Sequence, residues 1–177
     1  MNQMEFIDIL ETDEETQSLV RQWRNKDEVR RYMIHQHNIS TQEHAQWLEG
    51  LKTSTTHKYW VVYRNDEPVG MVYLNDMDPK ERTSQWGFYI GEEKSRGKGL
   101  GKNILFELLT RFFDEMHYQK LITEVFSQNT IAFNLYHQFM FRRVGQRVLE
   151  DSRKLLLLEF TKADWDRDRN RIHEYVR

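Results

Sequence analysis

The sequence contains no cysteine, and it has only two prolines and eight glycines among its 177 residues. Without cysteine the chain can form no disulfide, no thiolate metal site and no acyl intermediate on a protein thiol. Acyl chemistry would then proceed by direct transfer or through another nucleophile. Because proline and glycine are scarce, long flexible linkers are not expected, and we predict a single domain over residues 1–177.

The sequence also lacks a large net charge and a long apolar segment. It has 26 Lys and Arg against 28 Asp and Glu, so there is no overall excess of positive charge to attract nucleic acid. No stretch approaches the roughly 18 apolar residues that a membrane-spanning helix requires, and the first residues do not follow the pattern of a signal peptide. We therefore expect a soluble, cytoplasmic protein with no nucleic-acid partner and no membrane partner.

The spacing of apolar residues predicts the order of the secondary-structure elements. Strands are expected at residues 6–10, 59–63, 69–74, 86–90, 121–126, 141–149 and 155–160. Helices are expected at residues 19–33, 40–51, 100–116 and 129–139, followed by a helical tail over residues 162–177. The mixture predicts an α/β (α+β) fold. Because Asp166 to Arg169 are all charged, we expect this part of the tail to be solvated.

A glycine-rich loop stands between a predicted strand and the longest predicted helix. Its sequence is Arg96-Gly97-Lys98-Gly99-Leu100-Gly101. A pyrophosphate needs several backbone N–H donors at a helix N-terminus, and glycine lets the backbone approach it closely. Arg96 and Lys98 add positive charge. The alternative is a basic surface turn, but the strand, loop and helix together favour anion binding.

Two segments resemble the signatures of the GNAT acetyltransferase superfamily. The loop at residues 96–101 is similar to its Gln/Arg-x-x-Gly-x-Gly/Ala motif. A later segment, with Met140 in place of the usual glycine, is similar to its Asn…Ala…Leu-Tyr…Gly-Phe motif and consists of Asn129, Ala132, Leu135-Tyr136 and Phe139-Met140-Phe141. The resemblance implies the GNAT fold, a mixed central sheet of about seven strands flanked by helices. It also implies acetyl-CoA as cosubstrate and no metal.

The same resemblance implies a role for individual residues. The backbone of Phe88, Tyr89 and Ile90 would pair with the pantetheine arm, and Arg96, Gly97, Lys98, Gly99, Leu100 and Gly101 would hold the pyrophosphate. Asn129 would contact the cofactor near the thioester, and Tyr136 would protonate the departing thiolate. The alternatives are that Asn129 is an ordinary helix N-cap and that Tyr136 is a half-buried aromatic residue of a helix.

Acetylation of an amine also requires a proton acceptor, because an alkylammonium has no lone pair with which to attack the thioester. Glu124 is the leading candidate, since a carboxylate is unusual in the middle of the apolar strand at residues 121–126. It precedes Tyr136 by twelve residues, so both could project toward one cleft. The alternative is a strand-face glutamate in a salt bridge.

The N-terminal half resembles the GNAT enzymes that acetylate the 4-amino group of a UDP-linked amino sugar in pseudaminic acid biosynthesis, which often serves flagellin glycosylation. The resemblance rests on Trp23-Arg24-Asn25, His37, Glu43-His44, Trp47 and Trp86-Gly87. It implies a UDP-4-amino-4,6-dideoxy-N-acetyl-altrosamine-type substrate. It also implies that the pocket for this nucleotide sugar is lined by Arg24, His37, His44 and Asn75.

Other acceptors and another class of function stay open at this point. The helical N-terminal half is shared with acetylases of ribosomal-protein N-termini and of polyamines, and a non-catalytic acyl-CoA sensor would retain the same loop. Four arginines in the first helical region favour an anionic acceptor: Arg21, Arg24, Arg30 and Arg31. His35 and His37 have no third ligand at a suitable spacing, so no metal is expected. Monomer and homodimer both remain open.

Overall fold

The computed structural model describes residues 3–177; Met1 and Asn2, where the predicted domain begins, lie outside the described residues. The contacts divide the chain into two compact units. Unit 1 contains the chain up to Asn75 together with Gly87–Lys98, and unit 2 contains Asp76–Trp86 together with Gly99–Arg177. The single domain over residues 1–177 stays a prediction, and the two units are described separately.

Seven strands form a mixed sheet in the order β1-β2-β3-β4-β5-β7-β6, which confirms the predicted fold class. The strands are β1 (Met4–Asp8), β2 (Lys58–Arg64), β3 (Glu67–Asp78), β4 (Thr83–Ile90), β5 (Lys120–Phe126), β6 (Arg142–Val148) and β7 (Lys154–Thr161). The β4–β5 pair is parallel, whereas β1–β2, β2–β3, β5–β7 and β6–β7 are antiparallel. Every predicted strand is present. Most strand ends lie within about two residues of their predicted positions, which is the usual uncertainty of such boundaries.

The helices follow the predicted order, except that the first predicted helix is divided into two. They are α1 (Glu14–Asn25), α2 (Asp27–Arg30), α3 (Thr41–Leu51), α4 (Leu100–Thr110), α5 (Thr130–Gln138) and α6 (Lys162–Val176). The first predicted helix is two helices, because Lys26 adopts an extended conformation between them. A 3₁₀ turn at Ile9–Glu11 ends the first strand earlier than predicted, since the Asp8 carboxylate accepts a hydrogen bond from the Leu10 N–H group.

The core of unit 1 is centred on Trp23 of α1. This side chain is fully buried and packs in a cluster with Ile9, Val20, Val61 and Met71. Its indole Nε1 donates a hydrogen bond of 2.8 Å to the Glu92 carboxylate. Fully burying an aromatic side chain stabilises a fold by roughly 1.5–3 kcal/mol, provided that its polar atom also finds a partner.

In unit 2 the predicted helix over residues 100–116 changes its hydrogen-bonding pattern near its end. It is α-helical to Thr110 and continues as a π-helical turn at Arg111–Glu115. The consecutive side chains of Phe112 and Phe113 in this turn are both fully buried, as are Ile104 with Leu105 and Leu108 with Leu109 in the α-helical part. The buried face of the helix therefore continues through the π turn.

The C-terminal helix α6 has a helical conformation as predicted, but it is not a solvated tail. Trp165 is fully buried, and its indole Nε1 donates to Asp114 at 3.1 Å. Arg169 also donates to Asp114, at 2.6 Å, and lies over the Trp165 ring. Asp166 and Arg167 are exposed as expected. The charged sequence did not reveal that one face of α6 packs against other parts of unit 2, because the partner of Arg169 lies in a distant part of the chain.

The turn that follows α5 keeps the glycine-like geometry despite the substitution of methionine. Met140 has a φ of 67°, in the left-handed region. The Phe141 N–H group bonds back to the Tyr136 carbonyl at 3.0 Å, and the two rings contact each other at 5.2 Å. This bond and this contact define a Schellman motif. The substitution therefore leaves the position of Tyr136 intact at the cost of backbone strain.

We expect Met140→Gly to raise the free energy of unfolding by about 1 kcal/mol, because glycine adopts positive φ without strain. For a chain of this size, that is an increase of about 3 °C in the melting temperature. Ile131→Gly in the same helix is a suitable control. Ile131 is 83% exposed at a helical position, so glycine there should lower stability. A fall in the melting temperature of Met140→Gly would mean that packing of the methionine outweighs the strain.

Candidate functional site

The glycine-rich loop forms an open helix N-terminus. Gly97 and Gly99 have φ values of 71° and 72°, so both adopt the left-handed conformation. Gly99 is the N-cap residue of α4, and no side chain caps this helix end. The N–H groups of the first turn, which lack carbonyl partners within a helix, therefore stay free of a side-chain acceptor. This geometry suits a phosphate group.

Arg96 supports the loop from within unit 1. Its guanidinium donates two hydrogen bonds to the Ile90 carbonyl, from Nε at 3.1 Å and from Nη2 at 3.0 Å. The side chain therefore fixes the start of the loop against the end of β4. The pairing of β4 with β5 involves Thr83 to Gln85, and the strand continues beyond it through Phe88, Tyr89 and Ile90. Pairing of these three residues with pantetheine stays a prediction.

Tyr136 lies in a buried aromatic cluster of unit 2. Its ring meets Trp86 edge-on at 5.8 Å, and it is only 4% exposed. Asn129 caps α5, since its Oδ1 accepts a hydrogen bond of 3.3 Å from the Ala132 N–H group. The packing and capping alternatives thus describe these two side chains in the present structure. Their roles toward a cofactor remain predictions.

Glu124 forms an ion pair that its strand position alone did not reveal. Its Oε2 accepts hydrogen bonds from two nitrogens of Arg147, at 2.7 Å from Nη2 and 3.1 Å from Nε. The glutamate side chain is 19% exposed, whereas that of Arg147 is 48% exposed. Two hydrogen bonds from one guanidinium fix the orientation of the carboxylate. The salt-bridge alternative is therefore present in the structure, and the role of Glu124 as a base stays a prediction.

Glu124 and Tyr136 belong to opposite faces of the sheet in unit 2. Tyr136 contacts Phe141, which stacks on Phe160 at 4.9 Å. Phe160 is directly paired with Leu121 on β5, so Leu121 faces this aromatic cluster. Side chains alternate along a strand, and Glu124 is three residues further on. Its side chain therefore leaves the face opposite to that of Leu121, and the approach of both groups to one cleft stays a prediction.

Unit 1 brings two of the predicted acceptor-binding residues together through aromatic rings. Trp47 contacts His44 at 5.2 Å and Tyr59 at 4.9 Å between ring centroids. The Tyr59 hydroxyl donates to Asn75 Oδ1 at 3.1 Å. His44 and Asn75 thus lie at the two ends of one connected aromatic group. Trp47 has the packing role that helical spacing favours.

Tyr59, Tyr73 and Tyr89, here called the tyrosine cluster, were not predicted as acceptor-binding side chains. Tyr59 and Tyr73 stack at 4.9 Å. A Cβ atom at Gly87 would lie 2.4 Å from the Tyr73 hydroxyl oxygen, so only glycine lets this ring lie across β4. A glycine inside a strand is a known signal of such a close approach. The Trp86-Gly87-Phe88 segment therefore carried a signal that could have located Tyr73.

Arg24 has a half-satisfied guanidinium next to the tyrosine cluster. Its Nη2 donates to the His35 carbonyl at 2.6 Å, whereas its Nη1 is buried and has no hydrogen-bond partner in residues 3–177. Burial lowers the pKa of Arg24, and the nearby Tyr89, Tyr73 and Tyr59 hydroxyls interact with its charge. Burial also raises the pKa of Tyr73 and of Tyr89, which keeps both hydroxyls protonated. These groups can all donate hydrogen bonds to an oxygen-rich anion.

The other arginines of this region hold a loop instead of forming an open basic patch. Arg21 donates to the Ile39 carbonyl at 3.0 Å, and Arg30 donates to the Asn38 side chain at 2.6 Å. Backbone and amide oxygens therefore use part of the donor capacity of these two guanidinium groups, and the expected role of the four arginines toward an anionic acceptor stays a prediction. Arg31 lies over the Tyr32 ring. Arg24 alone among the four has a buried nitrogen without a partner.

His37 lies apart from the tyrosine cluster. Its Nε2 is 3.2 Å from Glu43 Oε1 at the start of α3, and its side chain is 58% exposed. The structure therefore gives it a surface ion-pair geometry, and its predicted role in binding the acceptor stays a prediction. Within residues 3–177, no three His, Asp or Glu side chains are grouped as a metal site would require. No helix in the described part of the chain has the length and apolar character needed to cross a membrane.

Comparison of sequences relates the chain to known acetyltransferases. It matches the family model described as Acetyltransferase (GNAT) domain over residues 9–142. It is 32% identical over 122 residues to the SPbeta prophage-derived uncharacterized N-acetyltransferase YokL of Bacillus subtilis, covering 68% of each chain. It is 26% identical over 120 residues to Acetyltransferase PseH of Campylobacter jejuni, covering 68% of this chain and 73% of that protein.

Solved structures share the fold at lower identity. PseH of Campylobacter jejuni superposes with a TM-score of 0.71 at 19% identity, covering 89% of this chain and 97% of that one. The same enzyme has been solved in complex with acetyl coenzyme A. Spermidine N-acetyltransferase of Vibrio cholerae, in complex with CoA and spermine, gives a TM-score of 0.83 at 16% identity, covering 92% and 98%.

His44 provides a pH-dependent test of the geometry in unit 1. It is 8% exposed, its buried Nε2 has no partner in the described residues, and burial together with the charge of Arg21 lowers its pKa. Below the unfolded-state pKa of about 6.5, the unfolded chain therefore binds more protons than the folded one. Stability is retained above that pH and lost as the pH falls through the folded-state pKa.

We expect the melting temperature of the wild type to fall more steeply between about pH 7.5 and about pH 5.5 than that of His44→Gln. The difference arises because glutamine has no proton to gain. Thermal melting across this range, together with NMR titration of the imidazole, measures the effect. Parallel curves for the two proteins would show that His44 gains its proton in the folded state without a penalty.

Proposed function

We propose, from the premise that the chain belongs to the GNAT acetyltransferase family, that its acceptor is a nucleotide sugar with a free amine. The chain is an acetyl-CoA-dependent N-acetyltransferase. In the proposed reaction it transfers the acetyl group directly to the 4-amino group of a UDP-4-amino-4,6-dideoxy-N-acetyl-altrosamine-type sugar. The similarity to PseH supports the proposed place in pseudaminic acid biosynthesis and flagellin glycosylation, in the cytoplasm.

The observation that carries this proposal is the buried, unpartnered Nη1 of Arg24 beside the tyrosine cluster. A buried charged donor without a partner is costly, and the phosphate oxygens of UDP would supply the missing acceptors. An arginine can bind a phosphate through two parallel hydrogen bonds. The protonated hydroxyls of Tyr73 and Tyr89 add further donors nearby.

The same observation disfavours a polyamine as acceptor. Spermidine and spermine are polycations, and a guanidinium of low solvent exposure would repel them. The likeness to spermidine N-acetyltransferase, at 16% identity, concerns the fold. Acetylation of a ribosomal-protein N-terminus gains no specific support from Arg24 either. The anionic nucleotide sugar is therefore the acceptor that the side chains of unit 1 suit best.

We further propose how the protons move during the transfer. The backbone of residues 96–101 would hold the pyrophosphate of acetyl-CoA, and Asn129 would lie near the thioester. The amine of the acceptor attacks the thioester carbonyl, Glu124 accepts the amine proton through a water molecule, and Tyr136 donates its proton to the leaving thiolate. Arg147 orients the Glu124 carboxylate for this step.

A thiol-release assay tests the proposed acceptor. Purified protein is incubated with acetyl-CoA and, separately, with 4-amino UDP-sugars, spermidine or a ribosomal N-terminal peptide. We expect release of CoA with a 4-amino UDP-sugar. Turnover with spermidine or the peptide alone would identify a different acceptor, and binding of acetyl-CoA without turnover on the whole panel would favour a non-catalytic sensor.

Arg24→Ala should weaken binding of the nucleotide sugar by at least about tenfold, since it removes a charged hydrogen-bond donor. The affinity for acetyl-CoA should change by less than about twofold, because the cofactor has its own N–H donors at the glycine loop. Calorimetry with each ligand separates the two effects. Arg30→Ala is a matched control, since Arg30 also holds the loop near Asn38 but has no buried free nitrogen. Equal losses in both variants would assign Arg24 a role in folding.

Tyr136→Phe keeps the ring that packs against Trp86 and removes only the hydroxyl. If Tyr136 is the acid, the rate of the chemical step should fall about 100-fold with a nearly unchanged KM.

Glu124→Gln should lower the rate of the chemical step mainly near neutral pH. A higher pH should partly restore the rate, because the acceptor amine is then already deprotonated. Rapid-mixing kinetics from about pH 6 to about pH 9 measure both effects. Wild-type rates in both variants would leave proximity of the substrates as the source of catalysis.

A further inference from the structure

A cavity of about 340 Å³ lies in unit 1 beside the glycine-rich loop. It lies between the turn that joins β2 to β3 and the segment that follows β4. The residues that line it, here called the Arg64 cavity, are Arg64, Asn65, Glu67, Val69, Lys94, Ser95 and Lys98. They include three cations and a single carboxylate, so the cavity carries an excess of positive charge.

Two of the three cations of the Arg64 cavity have no anionic partner in the described part of the chain. Lys94 Nζ is 3.2 Å from Glu67 Oε2, and this pair is largely exposed. In contrast, the side chains of Arg64 and Lys98 have no ion-pair or hydrogen-bonding partner in residues 3–177. Like charges that converge on a cavity repel each other. Binding of an anion would remove this repulsion and provide the missing acceptors.

The walls of the cavity are fixed by the backbone. Asn65 and Asp66 have φ values of 51° and 64°, which is the pattern of the tight hairpin turn that suits twisted strands. On the other side, the N–H groups of Gly91 and Glu92 both bond to the Val69 carbonyl, at 2.9 Å and 3.2 Å. The charged residues are therefore carried by two anchored segments, and a ligand would find the cavity already formed.

We propose that the Arg64 cavity binds the 3′-phosphate of acetyl-CoA, an inference that rests on the proposed function of the glycine-rich loop. Lys98 belongs both to that loop and to the cavity. A cofactor whose pyrophosphate lies on the loop can therefore reach the cavity with its second phosphate group, which is attached to the ribose of the same nucleotide. A phosphate monoester with a second pKa of about 6 is largely dianionic at neutral pH. The planar guanidinium of Arg64 suits two of its oxygens.

The test compares acetyl-CoA with its 3′-dephospho analogue, which is identical except for this phosphate. Calorimetry should show that the wild type binds the analogue at least about tenfold more weakly. Arg64→Gln should weaken binding of acetyl-CoA by about tenfold and binding of the analogue by less than about twofold, since the lost interaction involves only the phosphate that the analogue lacks. Arg171→Gln is the matched control, because Arg171 is an exposed arginine of α6 outside the cavity.

A second variant should act in the opposite direction. Glu67→Gln removes the only carboxylate of the cavity and releases Lys94 from its pair. Binding of acetyl-CoA should become about two- to threefold tighter, as expected for one exposed charge interaction, with no change for the analogue. A variant that merely damages the fold would weaken both ligands. An increase in affinity for acetyl-CoA alone therefore supports the electrostatic role directly.

Three results would overturn the proposal. The first is equal affinity of the wild type for acetyl-CoA and for the analogue, and the second is an equal loss for both ligands in Arg64→Gln. The third is binding of inorganic phosphate that depends on Arg64 but does not compete with acetyl-CoA, which would assign the cavity to a separate anion. Failure of the proposed loop function would look different, since neither ligand would then bind to any variant or raise its melting temperature.

Discussion

The segment that follows β4 is held in place by hydrogen bonds from several parts of unit 1, and the proposed binding features of that unit depend on this anchoring. Val69 accepts two backbone bonds from Gly91 and Glu92, and Trp23 donates to the Glu92 carboxylate. Arg96 then closes the segment onto the Ile90 carbonyl. A loop with two left-handed glycines would lose much conformational entropy on binding a phosphate. Anchoring its start to a strand and to a buried tryptophan removes part of that cost before the ligand arrives.

Features set by residues close together in the sequence could be predicted, whereas features set by distant partners could not. The strand, loop and helix around residues 96–101 follow from local periodicity and glycine content, and the structure confirms them. The partners of charged side chains do not follow from local pattern. Arg21 binds a carbonyl 18 residues away and Arg169 binds a carboxylate 55 residues away. Sequence therefore indicated a basic acceptor patch and a solvated tail where folding has already satisfied most of those charges.

The proposed acceptor region shows how the position of a side chain can depend on a glycine in the neighbouring strand. Tyr73 contributes a hydroxyl whose pKa is raised by burial, yet it reaches its position only because Gly87 leaves space on the neighbouring strand. Arg24, which lies next to it, was predicted by resemblance, and the structure adds a geometric argument for the proposed role. Its Nη2 donates a hydrogen bond to the His35 carbonyl, and its Nη1 is buried without a hydrogen-bond partner in the described residues. In the proposed function, support of the loop and recognition of the acceptor are combined in one guanidinium, which makes a conservative replacement by lysine unsuitable.

The ion pair between Glu124 and Arg147 sets a condition on the proposed proton transfer. If Glu124 accepted a proton and kept it, Arg147 would lose the negative charge that its two nitrogens bind. Glu124 also faces away from the aromatic cluster that holds Tyr136. In the proposed step Glu124 accepts the amine proton through a water molecule and then releases it to solvent, so that the ion pair with Arg147 forms again before the next turnover. In the same proposal Tyr136 protonates the leaving thiolate independently, because its proton does not come from Glu124.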